Sequence, residues 1–200
     1  MITLIIPTPN KDFDVTSRCV KSLFNNNTEI RLAPWAGSFA RTVNLAASGV
    51  TTPFIGVVNN DTEAPPQWMM MMNHQDKHIG IICPAEADKP GFDPRGPVYE
   101  GPGLFFGGFW VMPTHVWEKM DGLDERYFPY YCEDTDLLYR LEKAGYKIYQ
   151  DHRIRVKHLQ NNTIKHDENR MNHLRQNALR FAMRWGINPI SYQAHGIPQS

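Results

Sequence analysis

The sequence predicts an α/β fold: a Rossmann-like open mixed sheet, largely parallel, flanked by helices and followed by a C-terminal helix. Three observations predict it. Apolar, β-branched runs at residues 2–6 and 52–58 read as strands, the first of them buried in a parallel sheet, and residues 79–83 and 104–112 read as two further strands. Segments with helical spacing of apolar residues lie between and after them, at 14–24, 39–47 and 133–144. Turn-forming clusters mark the changeovers, PTPN after the first run and NND after 52–58. Strands alternating with helices argue for crossover connections and therefore for strands running mostly one way.

Taken in order, residues 2–6 form the first strand, closed by Pro7. Val15, Cys19, Val20 and Leu23 then share one side of a helix, with Asp14 or Thr16 as its cap. Residues 29–32 suit a short second strand, and a Gly37–Ser38 turn leads into a small-residue helix over 39–47 stopped by Gly49. Pro65–Pro66 opens a further helix over 67–74, whose four consecutive methionines suit core packing. Residues 84–102 are rich in Pro, Gly and charge and read as a long surface loop over the sheet. The next strand, 104–112, contains Gly107–Gly108, where a side chain would obstruct a close approach. A short helix at 114–120, an acidic turn, the helix 133–144 with its Gly145 stop, and extended pieces at 147–149 and 153–158 follow. Residues 165–185 give a long amphipathic helix with Met171, Leu174, Ala178, Phe181, Ala182 and Trp185 on one side. This places one domain over 1–185 and an irregular tail over 186–200.

Composition narrows the function. With 21 basic and 21 acidic residues the chain has no global attraction to nucleic acid or to an anionic membrane. Cys19, Cys83 and Cys132 form no CxxC or zinc spacing and read as reduced, buried thiols, so a cytoplasmic protein is expected. No run approaches the ~20 apolar residues that a membrane-spanning helix requires. A P-loop, a GxGxxG after the first strand and a GxSxG elbow are all missing, which removes the commonest α/β alternatives.

Three features remain for chemistry. Asp61 follows an apolar strand through Asn59 and Asn60; it suits a divalent cation with amides to position hydroxyls, although Asn and Asp also simply end strands. His158 closes the run 153–158, where a histidine suits metal ligation or proton transfer as well as an ordinary surface role. Glu133, Asp134 and Asp136 crowd one helix start beside Tyr130, Tyr131 and Cys132. Acidic residues there favour the helix dipole, but one or two suffice. Residues 133 and 136 share a face while 134 points away, so more than one role is present.

Six segments, in this order, resemble a GT-A glycosyltransferase of the large inverting family that includes bacterial rhamnosyltransferases and polysaccharide synthases. They are IIPTPN, GSFARTVNLA, VVNNDTEAPPQW, GGFWVMPTHVWEKMDGLDERYF with EDTDLLYRLEKAGYKI, VKH and FAMRWG. The resemblance implies a single GT-A domain that transfers a sugar from a nucleotide-diphosphate sugar to an acceptor hydroxyl with inversion. It implies Asp61 and His158 as ligands of a divalent cation, Mn2+ or Mg2+, and Asp134 as general base with Glu133 second for that role. Pro7, Thr8, Asn10, Asn44, Asn59, Asn60, Gly107 and Gly108 fall to the donor, with the two glycines leaving room for the sugar. Trp110, Tyr130 and Asp136 fall to the acceptor. The second strand lacks the family's terminal Asp and its Ser-Asp turn, so base recognition passes to Thr8, Pro9, Asn10 and Trp35. The acceptor expected is a glycan; the basic residues of 153–184 read first as a solvated helix face, and hydroxymethylated DNA becomes an acceptor if they form one basic face. A nucleotidyltransferase and a non-catalytic nucleotide- or sugar-binding module are the competing readings.

Overall fold

The computed structural model describes residues 1–8, 13–74, 76–87, 98–159 and 167–196. Among these residues eight strands form one mixed sheet: β1 (Ile2–Thr8), β2 (Thr28–Pro34), β3 (Phe54–Val58), β4 (Thr62–Glu63), β5 (Ile79–Glu86), β6 (Val98–Glu100), β7 (Phe109–Pro113) and β8 (Lys147–His158). Their order is β2-β1-β3-β7-β5-β8-β4, with β6 also paired to β8. Helices α1 (Phe13–Leu23), α2 (Phe39–Ala47), α3 (Thr114–Lys119), α4 (Glu133–Lys143), α5 (Arg170–Trp185) and α6 (Pro189–His195) complete the fold.

The directions of the strands place the site. β1 runs parallel to β2 and β3, β7 runs antiparallel to both β3 and β5, and β8 runs parallel to β5. The ends of β1, β3, β5 and β8 therefore lie along the same edge as the start of β7. This is the edge at which open α/β sheets bind ligands. The continuous apolar runs are buried as expected, Ile2, Leu4, Ile5 and Ile6 completely. Val15, Thr16, Cys19 and Leu23 form the covered face of α1. Ser38 caps α2 by accepting a hydrogen bond from the Arg41 N–H at 3.2 Å.

Several elements differ from expectation for definable reasons. The second strand is seven residues long and pairs with β1 along its whole length. The expected helix at 67–74 is a 3-10 helix, Pro66–Asn73, whose buried side chains Trp68 and Met71 lie three residues apart, the period of that helix. β7 begins only at Phe109, because a 3-10 turn at Pro102–Leu104 and a turn at Gly107–Gly108 precede it. β6 lies inside the expected loop, and residues 88–97 of that loop fall outside the described residues. The two extended pieces near the end are one strand, β8, with an irregularity: Pro84 pairs with Asp151 but Ala85 pairs with Arg155. Buried Asp151, held by Arg153 at 2.6 Å, occupies that irregularity.

The segment 186–200, expected to be irregular, contains α6. Asn188 caps it by accepting from the Ile190 N–H at 2.8 Å, and Pro189 occupies its first turn. Tyr192 is fully buried against Tyr139 and Phe181. Trp185 packs on Tyr139 with ring centres 4.6 Å apart, so α5 and α6 both seal the outer side of α4. Met171, expected on the apolar face of α5, stands half exposed. The start expected for that helix, Lys165, lies outside the described residues. All three cysteines are free and buried. No helix among the described residues is long and apolar enough to cross a membrane.

Candidate active site

Asp61 and His158 meet at the strand edge. Thr62 pairs with His158 across β4 and β8, and the Leu159 N–H donates to the Asp61 carbonyl at 2.9 Å. This pairing sets His158 Nε2 3.1 Å from Asp61 Oδ1. The other ring nitrogen, Nδ1, stands 3.4 Å from Oε1 of Glu86, the last residue of β5. The edge of Phe106 closes a third side, its ring centre 5.3 Å from the imidazole. Burial pulls the His158 imidazole down, but the hydrogen bond and charge of Asp61, with those of Glu86, outweigh it and leave its pKa above the ordinary value.

The base-capable carboxylate lies one step along the same wall. Gly107 follows Phe106 in the chain, and a Cβ built on Gly107 would stand 2.9 Å from Asp134 Oδ2. The other oxygen, Oδ1, accepts from the Thr135 N–H at 2.7 Å and from the Thr135 hydroxyl at 3.3 Å. Asp134 is therefore oriented by one oxygen, leaving the second toward the space beside Gly107. Burial raises its pKa, and the Thr135 hydrogen bonds offset only part of that rise. Glu133 is more deeply buried, its Oε2 has no hydrogen-bond partner among the described residues, and its pKa is held well above the ordinary range by burial and by the neighbouring Asp134.

The backbone that delivers these two carboxylates is strained. Tyr131 and Cys132 have φ of 79° and 68°, and neither is glycine. Each such residue costs on the order of 1–3 kcal/mol and persists only where its surroundings fix it. Here Asn177, fully buried on α5, donates to the carbonyls of Phe128 and Tyr130, and the Phe39 N–H donates to the Pro129 carbonyl. The Tyr130 hydroxyl donates to Asp167. Cys132, the residue before α4, makes no side-chain cap, and Glu133, Asp134 and Asp136 stand in the first turn.

Other residues expected at the site are placed as follows. Asp136 is fully buried and accepts from Tyr127, Arg140, Arg184 and Trp185; it ties α5 to α4 and does not face an acceptor. Trp110 is buried in the core beside Trp117, so its ring is not presented for stacking. Asn44 grips the Leu123 backbone from both sides, donating to its carbonyl at 2.8 Å and accepting from its N–H at 3.0 Å. Gly108 makes room for Phe106 rather than for a sugar, since a Cβ there would stand 2.4 Å from that ring. Its carbonyl receives the Asn59 N–H at 2.8 Å, which joins the 59–62 turn to the 107–108 turn. Asn60 is buried and donates to Thr16. Pro7 and Thr8 end β1 at the site edge, where the Thr8 hydroxyl donates to the Ala33 carbonyl. Trp35 is 38% exposed just beyond β2. Tyr130 is largely buried beneath His173 and Tyr131. Asn10, like Pro9, lies outside the described residues.

Among the described basic residues of 153–184, several are engaged within the fold. Arg153 is bound to Asp151, Arg184 to Asp124 and Asp136, and Arg180 to Asn177. Glu86, Phe106, Thr135 and Asn177 complete the site and were not singled out by the sequence. Only Phe106, immediately before the glycine pair, carried a local signal.

Comparison with known proteins agrees with this architecture. A family model described as the N-terminal domain of galactosyltransferase matches residues 91–175. Mannosyltransferase PcManGT from Pyrobaculum calidifontis, in complex with GDP-Man and Mn2+, superposes with a TM-score of 0.70 at 14% identity, covering 98% of this chain and 68% of that one. The catalytic domain of Drosophila β1,4-galactosyltransferase 7, in complex with xylobiose, does so with a TM-score of 0.61 at 14% identity, covering 84% and 73%. TarS 1–349 from S. aureus, in complex with UDP-GlcNAc, gives 0.62 at 12% identity, covering 90% and 66%. No curated protein sequence matches the chain. The chain has the GT-A glycosyltransferase fold.

Proposed function

We propose that the protein is a glycosyltransferase that moves a sugar from a nucleotide-diphosphate sugar to a hydroxyl of an acceptor glycan, with inversion. One observation carries this reading. A carboxylate–imidazole pair, Asp61 with His158, and an oriented carboxylate with a raised pKa, Asp134, share one sheet edge and are linked through Phe106 and Gly107. The donor and metal in the neighbours support it, GDP-Man with Mn2+ in one and UDP with Mn2+ in another, GalNAc-T7.

Asp61 and His158 fit a divalent cation. A carboxylate oxygen and an imidazole nitrogen 3.1 Å apart are donors that Mn2+ accepts, and two protein ligands leave positions for a diphosphate and water. Among the described residues no group of three or more His, Cys, Asp or Glu forms a closed metal cage. A cation bound there would neutralise charge on the departing diphosphate. Asp134 Oδ2, beside Gly107, takes the proton of the acceptor hydroxyl as its oxygen attacks the anomeric carbon; Thr135 holds the other oxygen still. Of the adjacent carboxylates, Asp134 is the less buried and so the one an acceptor reaches.

The test is donor turnover. The protein is incubated with Mn2+ and UDP-, GDP- and dTDP-sugars, and released nucleoside diphosphate is followed. One donor class should be consumed, and Asp61→Ala should lose metal-dependent donor binding. A folded protein that neither binds nor consumes any of them would sink the reading. A second expected result concerns Gly107. Gly107→Ala sets a methyl group against Asp134 Oδ2 and should cut transfer by up to about 100-fold through misplacement of the base. Its melting temperature should stay close to wild type, and an unaltered turnover number would show that the carboxylate does not act from this position.

A further inference from the structure

We propose that Glu86 is a positioning residue that accepts the Nδ1–H of His158 and so leaves Nε2 bare for a cation shared with Asp61. The proposal rests on Asp61 and His158 being the cation ligands. The geometry separates the roles of the two carboxylates around the ring. Asp61 Oδ1 lies 3.1 Å from Nε2, whereas Glu86 Oε1 lies 3.4 Å from Nδ1. These nitrogens point in different directions, so Glu86 does not ligate a cation held at Nε2.

The surroundings suit the task. Glu86 is 8% exposed and Phe106 covers the imidazole edge-on, so water does not readily replace the carboxylate as proton acceptor. Among the described residues, Asp61, Glu86 and Phe106 are placed against the ring. Both carboxylates are fixed by the sheet. Glu86 pairs with Val156 on β8, two residues before His158, and the Ala87 N–H donates to the Val156 carbonyl at 2.8 Å. A neutral imidazole has one proton for two nitrogens. A cation at Nε2 requires that proton on Nδ1, and Glu86 stabilises that tautomer. Ligating histidines generally give their second N–H to such a partner, whose loss weakens metal binding about 10- to 100-fold.

The experiment measures Mn2+ affinity of the full chain by electron paramagnetic resonance of free Mn2+, with and without UDP or GDP. Glu86→Leu removes the acceptor at similar volume and should weaken Mn2+ about 10- to 100-fold. Glu86→Gln keeps an acceptor oxygen and should recover most of the affinity. If Glu86→Leu binds Mn2+ like wild type while His158→Ala has lost it, the positioning role is wrong. If His158→Ala also binds like wild type, the ligand assignment itself fails and the proposal fails with it. A second measurement needs no variant. In wild type loaded with Mg2+, 15N-resolved imidazole spectra should show the His158 proton on Nδ1, and a proton on Nε2 overturns the proposal.

Discussion

Replacing Asp134 with Asn should reduce sugar transfer about 100- to 10,000-fold, the usual contribution of a positioned base, while donor affinity stays within a few-fold of wild type. Asn keeps the shape and one acceptor oxygen, so the Thr135 hydrogen bonds to Oδ1 survive. What it lacks is the capacity to take a proton at the oxygen beside Gly107. Steady-state rates and donor titration separate these effects. Glu133→Gln should behave differently, keeping most of the rate, because Glu133 is the more buried of the two and burial and Asp134 already favour its protonated form. Equal losses in both variants would mean that the pair acts as one unit. The pH profile adds an independent check. Burial raises Asp134 above the ordinary 3.8, so the base is protonated and idle below that raised value. The acid limb of kcat/KM should therefore lie above the ordinary aspartate range and vanish in Asp134→Asn.

The strands were legible because a strand covered on both faces must be apolar throughout, and β1 and β3 read that way from sequence. The same property hid orientation. In a doubly covered strand alternation carries no information about which side chain faces a ligand, so nothing in the strand itself corrects the resemblance, which gives Trp110 to the acceptor although it lies in the core. Asp61 and His158 stand out in the sequence by their place at strand ends, and the fold sets them 3.1 Å apart. Glu86 does not stand out, because it belongs to a Pro- and charge-rich stretch that becomes strand only through pairing with β8, some seventy residues downstream. Helical spacing sets Asp134 apart from Asp136, and the Arg140 partner of Asp136 at i+4 is visible in the chain. Arg184 and Trp185 are not, since nothing local announces a contact across 48 or 49 residues. The end of the chain held a readable signal that composition obscured: Asn188–Pro189 is a helix cap followed by proline in the first turn.

Asp136→Ala should destabilise the fold by about 3–5 kcal/mol, the usual cost of leaving one side of a buried ion pair without its partner. The Asp136 carboxylate is fully buried and receives Arg140 Nε at 2.7 Å, Arg184 at 2.9 Å, Trp185 Nε1 at 2.8 Å and the Tyr127 hydroxyl at 3.1 Å. Removing it leaves two guanidinium groups and two neutral donors facing a void. Arg140 also donates to the carbonyls of Met120 and Gly122, so the damage extends into the turn that Asn44 holds. Against a total stability of about 5–15 kcal/mol for an ordinary domain, the loss is large and should show as an earlier urea midpoint with little change in slope. Arg184 has a second partner in Asp124, and this sets the discriminating control. Arg184→Met should cost clearly less than Asp136→Ala, because Asp124 keeps Arg126 and Asp136 keeps Arg140. A loss below about 1 kcal/mol for Asp136→Ala would show that the arginines find other partners or solvent. The junction between α4 and α5 would then rest on the Tyr139, Phe181 and Trp185 rings, with Lys143 lying over Trp185.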